Sequence, residues 1–148
     1  MLVSVHFSQI VAVFLARVFL GLLFFYQGYD KIFRIKVKNV IQTIYMPLVN
    51  KGVPKFLSVL GAYATSYIEL ICGAALIIGF MKNWSLYLLS FDVLFAAIVF
   101  GLVEPMWDTR HIFPRIVLLV FLLLIPTQWD VISMDNFLPI IKYIHINF

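Results

Sequence analysis

The chain has 148 residues, of which 64% are hydrophobic and only 12% are charged. Soluble domains are about 45–50% apolar and about 25% charged, so this chain has too few polar side chains to cover a surface in water. Its outer surface must face lipid, which excludes a soluble globular domain. The net charge of +4 does not indicate nucleic-acid binding, because the basic residues gather in one connection between hydrophobic segments.

The hydrophobic segments are long enough to cross a membrane as helices, which takes about 20 mostly apolar residues each. In hydrocarbon, the backbone groups of such runs must bond within a helix, and the strand-like alternation typical of an outer-membrane barrel is missing. The sequence therefore predicts an all-α polytopic membrane protein. We expect a four-helix transmembrane bundle forming one domain over residues 1–148, with helices at roughly residues 10–28, 56–80, 84–103 and 112–132.

The connections differ in length and charge. Residues 30–55 form a long basic connection, whose middle from Val37 to Val49 mixes apolar and polar residues and is predicted to lie as an interfacial segment. A tight hairpin is expected around residues 81–83. The first and third connections share one side and carry eight basic residues, against two on the other side. The positive-inside rule then places loop 30–55 in the cytoplasm and both termini in the periplasm of a bacterial inner membrane.

The ionisable residues Arg17, Glu69 and Asp92 lie inside predicted spans. Such groups are costly in lipid, so they usually face the bundle and find partners there. The rise per residue of a helix places the three at a similar depth in the membrane. Arg17 and Glu69 each lie on a helix face that also carries small residues, which suits close contact between helices. We therefore predict one intramembrane polar cluster in which Arg17 pairs with Glu69. The spare carboxyl group is expected to be protonated or to bond with one of three supporting side chains: Gln27, Tyr63 or Tyr67.

This cluster has two interpretations, a structural contact between helices or a functional polar site such as a quinone headgroup pocket or a proton site. A second polar group, made of Asp108, Arg110, His111 and Arg115, is expected at the membrane edge. In this group His111 is either a proton-handling residue or a solvated loop histidine. We predict no catalytic residue set and no metal site, and a single cysteine, Cys72, excludes an intramolecular disulfide. No cofactor is evident apart from the possibility of a quinone.

Two stretches of the chain, ARVFLGLLFFYQGYDKIF and YIELICGAALIIGF, carry a recognisable pattern. The first has an arginine, a glycine and then a glycine–lysine pair, at Arg17, Gly21, Gly28 and Lys31. The second has a glutamate followed by a glycine-punctuated apolar run, at Glu69, Gly73 and Gly79. In these stretches the chain resembles the DoxX family of small four-helix membrane proteins. The resemblance implies association with membrane redox complexes, including quinone-linked oxidation of sulfur compounds, or an accessory or assembly role.

Three functions are compatible with these features. We expect first a small integral subunit or an accessory or assembly protein of a larger complex, with the lipid bilayer and other integral membrane proteins as partners and no nucleic acid. The second is a quinone-interacting subunit of a membrane oxidoreductase that uses the Arg17, Glu69 and Asp92 cluster. The third is a small transporter or proton pathway. The sequence leaves enzymatic activity open but favours a protein without catalytic activity of its own.

The charge asymmetry gives a test of topology. A cysteine introduced at Asn39, in a background with Cys72 replaced by serine, is expected to resist a membrane-impermeant thiol reagent in intact cells, because loop 30–55 is predicted to be cytoplasmic. Permeabilised cells provide the control, since the same cysteine should then react. Ready labelling in intact cells would invert the predicted orientation.

Overall fold

The computed structural model describes residues 2–103, 112–126 and 129–137. In these ranges the chain is helical and contains no strand, which confirms the predicted all-α membrane bundle. Single π-helical turns at Asp30–Arg34 and Ile41–Tyr45 lie before α2 and α3. The helices are α1 Leu2–Tyr29, α2 Val37–Val40, α3 Met46–Asn50, α4 Lys55–Ile78, α5 Lys82–Val103, α6 Phe113–Leu124 and α7 Met134–Phe137.

Within the described ranges, three helical segments are long and apolar enough to cross a membrane: Phe7–Arg34, Lys55–Ile78 and Lys82–Leu102. The fourth predicted span is shorter than expected. Helix α6 has 12 residues, a rise of about 18 Å against a hydrocarbon core of about 30 Å. The prediction that this helix runs to residue 132 is wrong, because Pro126 disfavours the helical conformation at the residue before it. Ile125 is accordingly extended, with φ −77° and ψ 134°.

The three long helices and the shorter α6 form a ring. Helix α1 packs along α4, α5 packs on the other side of α4, and α6 closes the ring between α5 and α1. Their common core is made of buried apolar side chains: Val13, Leu20, Phe24, Cys72, Leu76, Leu86, Leu89, Val93, Leu119 and Leu122. Burial of this apolar set holds α6 to the bundle although α6 is short.

The α1–α4 contact is close enough that it requires glycine at several positions. A Cβ atom added to Gly28 would lie 2.5 Å from the backbone nitrogen of Leu70, and one added to Gly73 would lie 2.5 Å from that of Phe25. A Cβ atom on Gly21 would lie 2.9 Å from the Gly73 carbonyl oxygen and from the Ile77 nitrogen. These contacts fix the register of the two helices, because neither can slide without a backbone clash.

The segment between α1 and α4 packs onto the bundle instead of extending away from it. Its apolar face forms a second core with α4 and α5, made of Val37, Val40, Tyr45, Leu48, Ala62 and Val99. The Tyr45 hydroxyl lies 3.2 Å from the Thr65 hydroxyl. Burial raises the pKa of Tyr45 above its usual value, so its hydroxyl keeps its proton. The predicted interfacial segment is therefore two short helices joined by a π-helical turn, fastened to α4 near its first turns.

Candidate functional site

Two side chains from the end of α1 bind a carboxylate on α4. Gln27 lies on α1, and Lys31 lies one turn later in the π-helical turn that continues it, so both point to the same side. Lys31 Nζ donates to Glu69 Oε1 at 2.7 Å, and Gln27 Nε2 donates to the same oxygen at 2.9 Å. Glu69 is only 1% exposed. Its charge is therefore paired inside the bundle, as a buried carboxylate requires.

A second carboxyl group lies beside the first. Asp92, on α5, is 2% exposed, and its negative charge repels that of Glu69. Two like charges in apolar surroundings are costly, so they require a positive charge or a proton beside them.

Arg115 brings a second positive charge from α6. Pro114 lies at the start of that helix, where its missing N–H is tolerated, and Arg115 follows it. The guanidinium carbon lies 5.7 Å from the centre of the Phe24 ring, a cation–π distance, and its charge acts on both Glu69 and Asp92. Two basic side chains thus face two acidic ones.

All of these side chains except Lys31 line a cavity of about 210 Å³ between the helices. The walls are mainly apolar, and the full lining consists of Phe24, Gln27, Glu69, Asp92, Val93, Ala96, Phe100, Ile112 and Arg115. Four buried polar atoms of this lining have no hydrogen-bond partner: Gln27 Oε1, Glu69 Oε2, Asp92 Oδ1 and Arg115 Nε. Buried polar groups are nearly always satisfied, so four unpartnered atoms among the residues around one cavity are unusual.

A protein-family model matches residues 12–102, which is well over half of the chain. That model is DoxX. The chain belongs to the DoxX family. The matched region contains Gln27, Lys31, Glu69 and Asp92, whereas Arg115 lies beyond its end. No curated protein and no solved structure matches the chain.

The predicted pairing of Arg17 with Glu69 in this DoxX protein is wrong. The Arg17 side chain donates from Nε to Asp130 Oδ1 at 3.2 Å, and its other nitrogens bind carbonyl oxygens near the end of α4 and after α6. The register set by the glycines brings Arg17 level with Leu76 and not with Glu69. Seven residues of helix separate those two positions, a rise of about 10 Å.

Arg17 instead belongs to a separate buried group at the other end of the bundle, which we call the Arg17–Asp130 cluster. Lys82 Nζ also approaches Asp130, at 3.4 Å from Oδ2, and both basic side chains are buried. Nearby, Asp135 accepts hydrogen bonds from the backbone nitrogens of Met81 and Lys82, at the start of α5. An acidic side chain at a helix N-terminus is favourable. This cluster fastens the segment after α6 to the α4–α5 hairpin.

The other predicted site residues have different locations. Gln27 contacts Glu69 directly, whereas Tyr63 and Tyr67 lie on the exposed face of α4, 37% and 49% exposed, away from the cavity. Arg115, expected at the membrane edge, lines the cavity. Its three expected neighbours, Asp108, Arg110 and His111, lie outside the described residues. In the part of the chain that the structure describes, no three His, Cys, Asp or Glu side chains come together as a metal site.

Sequence reasoning missed two partners, Lys31 and Asp130. The predicted first span ends at Gly28 and so leaves Lys31 in the basic connection, whereas helical structure continues through Arg34. The spacing of four residues between Gln27 and Lys31 is a signal of this, as is the glycine–lysine pattern of the DoxX resemblance. The predicted fourth span includes Asp130, although Pro126 indicates that the helix ends before it.

The Lys31–Glu69 pair can be tested by a double-mutant cycle. Lys31→Met should lower the free energy of unfolding by about 3 kcal/mol, because it leaves a buried carboxylate unpaired. Adding Glu69→Gln should recover part of that loss, since the uncompensated charge is then removed. The measurement is the unfolding midpoint in mixed micelles of mild detergent and sodium dodecyl sulfate.

Arg34→Met provides the matched control. Arg34 pairs with Asp30 four residues away, but this pair is exposed, and exposed pairs contribute at most about 1 kcal/mol. Additive losses in the Lys31 and Glu69 double variant would show that the two side chains do not interact. If Arg34→Met lowers the free energy of unfolding as much as Lys31→Met does, burial of the ion pair does not explain the cost of losing Lys31.

Proposed function

We propose that this DoxX protein is a small integral membrane subunit whose cavity binds the headgroup of a quinone or its reduced form. The observation that carries the proposal is that polar side chains from α1, α4, α5 and α6, three of them ionisable, meet around one apolar-walled cavity. Ionisable groups kept inside a membrane bundle are costly, and they commonly mark ligand or proton sites. The residues of the lining also leave four buried polar atoms without a hydrogen-bond partner, which is rare in protein interiors.

The lining fits a flat ring that carries two oxygens. Aromatic and aliphatic side chains form most of the wall, including Phe24, Val93 and Phe100, as is typical of small-molecule sites. The polar part offers both acceptors, on Glu69 and Asp92, and a donor, on Arg115. A quinone supplies two-electron redox chemistry when it is bound. The residues of this chain would hold the ring, and the Glu69 and Asp92 carboxyl groups could take up or release a proton there.

The location of the cavity also suits a ligand that dissolves in lipid. Phe100 lines the cavity and is 40% exposed on the outer face of α5. Its ring therefore belongs both to the cavity wall and to the apolar surface of a membrane-spanning helix. A headgroup in the cavity can thus keep its isoprenoid tail in the surrounding lipid, where hydrocarbon has its lowest free energy.

Filling the cavity should prevent binding. Ala96 lies in the lining, so the larger side chain of Ala96→Phe should occupy the space of the headgroup. The quinone retained after mild-detergent purification is expected to fall by at least about tenfold, which corresponds to about 1.4 kcal/mol of binding free energy. The measurement is organic extraction of the purified protein, followed by chromatographic quantification of quinone plus quinol per mole of protein.

Ala64→Phe is the matched control, because Ala64 lies on the exposed face of α4 and outside the cavity lining. It should retain the ligand at the level of the unmodified protein. Size-exclusion profiles show whether both variants are folded. Equal retention in the two variants, or no retention and no uptake of added quinone by the unmodified protein, would contradict the proposal.

We propose in addition that the protein acts within a larger membrane assembly, as a subunit or as an accessory or assembly protein. Redox use of a bound quinone requires an electron donor or acceptor, and a partner protein would supply it. The outer face of α6 supports this, since the helix is short and presents a row of exposed apolar side chains: Phe113, Val117, Val120 and Leu124. The resemblance to DoxX proteins that serve membrane redox complexes points the same way.

A photo-crosslinking residue at Val120 is expected to capture a discrete integral membrane protein, identified by mass spectrometry after native extraction. Tyr67 on α4 is the control position, because it is similarly exposed, 49% against 48% for Val120, but lies on another helix. Lipid adducts alone at both positions, together with recovery of the protein only as a lone monomer, would argue against a stable partner.

A further inference from the structure

Basic side chains on the segment between α1 and α4 lack an acidic counterpart. Residues 31–68 contain six basic residues and no acidic one. Arg34 pairs with Asp30, but in the ranges that the structure describes no carboxylate lies within ion-pair distance of Lys36 or Lys38. Both lysines are exposed. The segment therefore presents positive charge that the described part of the chain does not neutralise.

Large apolar side chains alternate with these charges. Phe33 and Ile35 are 58% and 49% exposed, and they lie on either side of Arg34 in the sequence. An exposed aromatic or branched side chain favours hydrocarbon, whereas an ammonium group is costly there. A surface that carries both kinds of side chain fits the boundary between acyl chains and headgroups. We call the five residues Phe33, Arg34, Ile35, Lys36 and Lys38 the Lys36 patch.

Packing of the next helix holds the patch on the outside of the bundle. Val37 and Val40 are only 7% and 3% exposed, in the second core with α4 and α5. Because Val37 faces this core, Lys36 and Lys38 on either side of it are directed outward, as their exposure shows. The segment is anchored to a membrane-embedded bundle, so the surrounding leaflet is the nearest source of compensating negative charge.

The backbone at Lys36 is strained. Its φ of 68° and ψ of 133° lie in a region that glycine adopts freely and that a Cβ atom disfavours. Glycine would avoid this strain and still allow the chain to turn into α2. Strained residues persist where the surrounding structure enforces them, and they are concentrated at ligand-binding and other functional positions. A lysine in a glycine position thus points to a use for its side chain.

We propose that the Lys36 patch binds the headgroup phosphate of an anionic phospholipid. Lys36 and Lys38 supply the positive charge, and Phe33 and Ile35 lie against the acyl chains of the same leaflet. An acidic protein segment would match the two ammonium groups, but the exposed apolar side chains between them favour lipid. No residue of the patch lines the cavity, so the proposal is independent of the quinone site.

Net charge should decide which lipid binds. The phosphate of phosphatidylcholine is neutralised by the lipid's own ammonium group, whereas that of phosphatidylglycerol is not. Purified, delipidated protein in mild detergent is offered equal amounts of the two lipids with identical acyl chains, and native mass spectrometry counts the bound molecules. The unmodified protein is expected to bind at least about tenfold more phosphatidylglycerol, since each lysine near an anionic headgroup contributes about fivefold.

Two variants separate the charge of Lys36 from its backbone strain. Lys36→Gly and Lys36→Ala both remove the charge and should lower the preference about fivefold. Lys36→Gly should unfold at a higher temperature than Lys36→Ala, because only glycine relieves the strain. A fold that is retained while the preference falls assigns the loss to the lipid contact. If neither variant folds, Lys38→Gln makes the same comparison at an unstrained residue.

Lys51→Gln is the matched control. It removes the same charge from the same segment, but Lys51 Nζ already donates to the Leu102 carbonyl oxygen, so the preference should change by less than about twofold. A loss as large as that of Lys36→Gly would overturn the assignment to the patch, because the charge of the whole segment would then attract the lipid. Equal binding of the two lipids by the unmodified protein would overturn the proposal, as would an unchanged preference in the Lys36 and Lys38 variants.

Discussion

A charge buried in an apolar bundle must be matched by a group from another part of the chain, and this requirement shapes the structure. Lys31 reaches back from the end of α1 to Glu69 on α4, and Arg17 joins α1 to Asp130 after α6. Removing one member of such a pair leaves an uncompensated charge, which is far more costly than losing an exposed pair. The two ion pairs therefore fasten α1 to its neighbours at two different levels of the bundle.

Close packing of α1 against α4 decides which charges meet. Gly28 lies against Leu70, and Gly21 lies against Gly73 and Ile77, so neither helix can shift by a turn without a clash. In that register Lys31 and Gln27 reach the level of Glu69, while Arg17 reaches the carbonyl groups at the end of α4. Small residues thus act on the site indirectly, by setting the alignment of helices whose long side chains complete it.

The same alignment explains why the cavity combines apolar walls with unsatisfied polar atoms. Lys31 and Gln27 both bind one oxygen of Glu69 and leave its other oxygen without a partner. Asp92 and Arg115 then approach from α5 and α6. Buried polar groups are nearly always satisfied by protein or by ordered water. The incomplete pairing here is the feature that connects a packing solution to the proposed binding of an oxygen-bearing ring.

Hydropathy and short motifs depend only on the order of residues along the chain, so the membrane class, the helical fold and the resemblance to the DoxX family could all be predicted from the sequence. An acid within an apolar span is likewise visible without tertiary information, which is why the sequence indicates Glu69 and Asp92. Pro126 also indicates where α6 ends. The partners of the two acids, Lys31 and Arg115 instead of Arg17, follow from the packing of the helices. Spacing within one helix fixes which side chains share a face, but partners on different helices depend on register, which packing at Gly28 and Gly73 sets to within one helical turn.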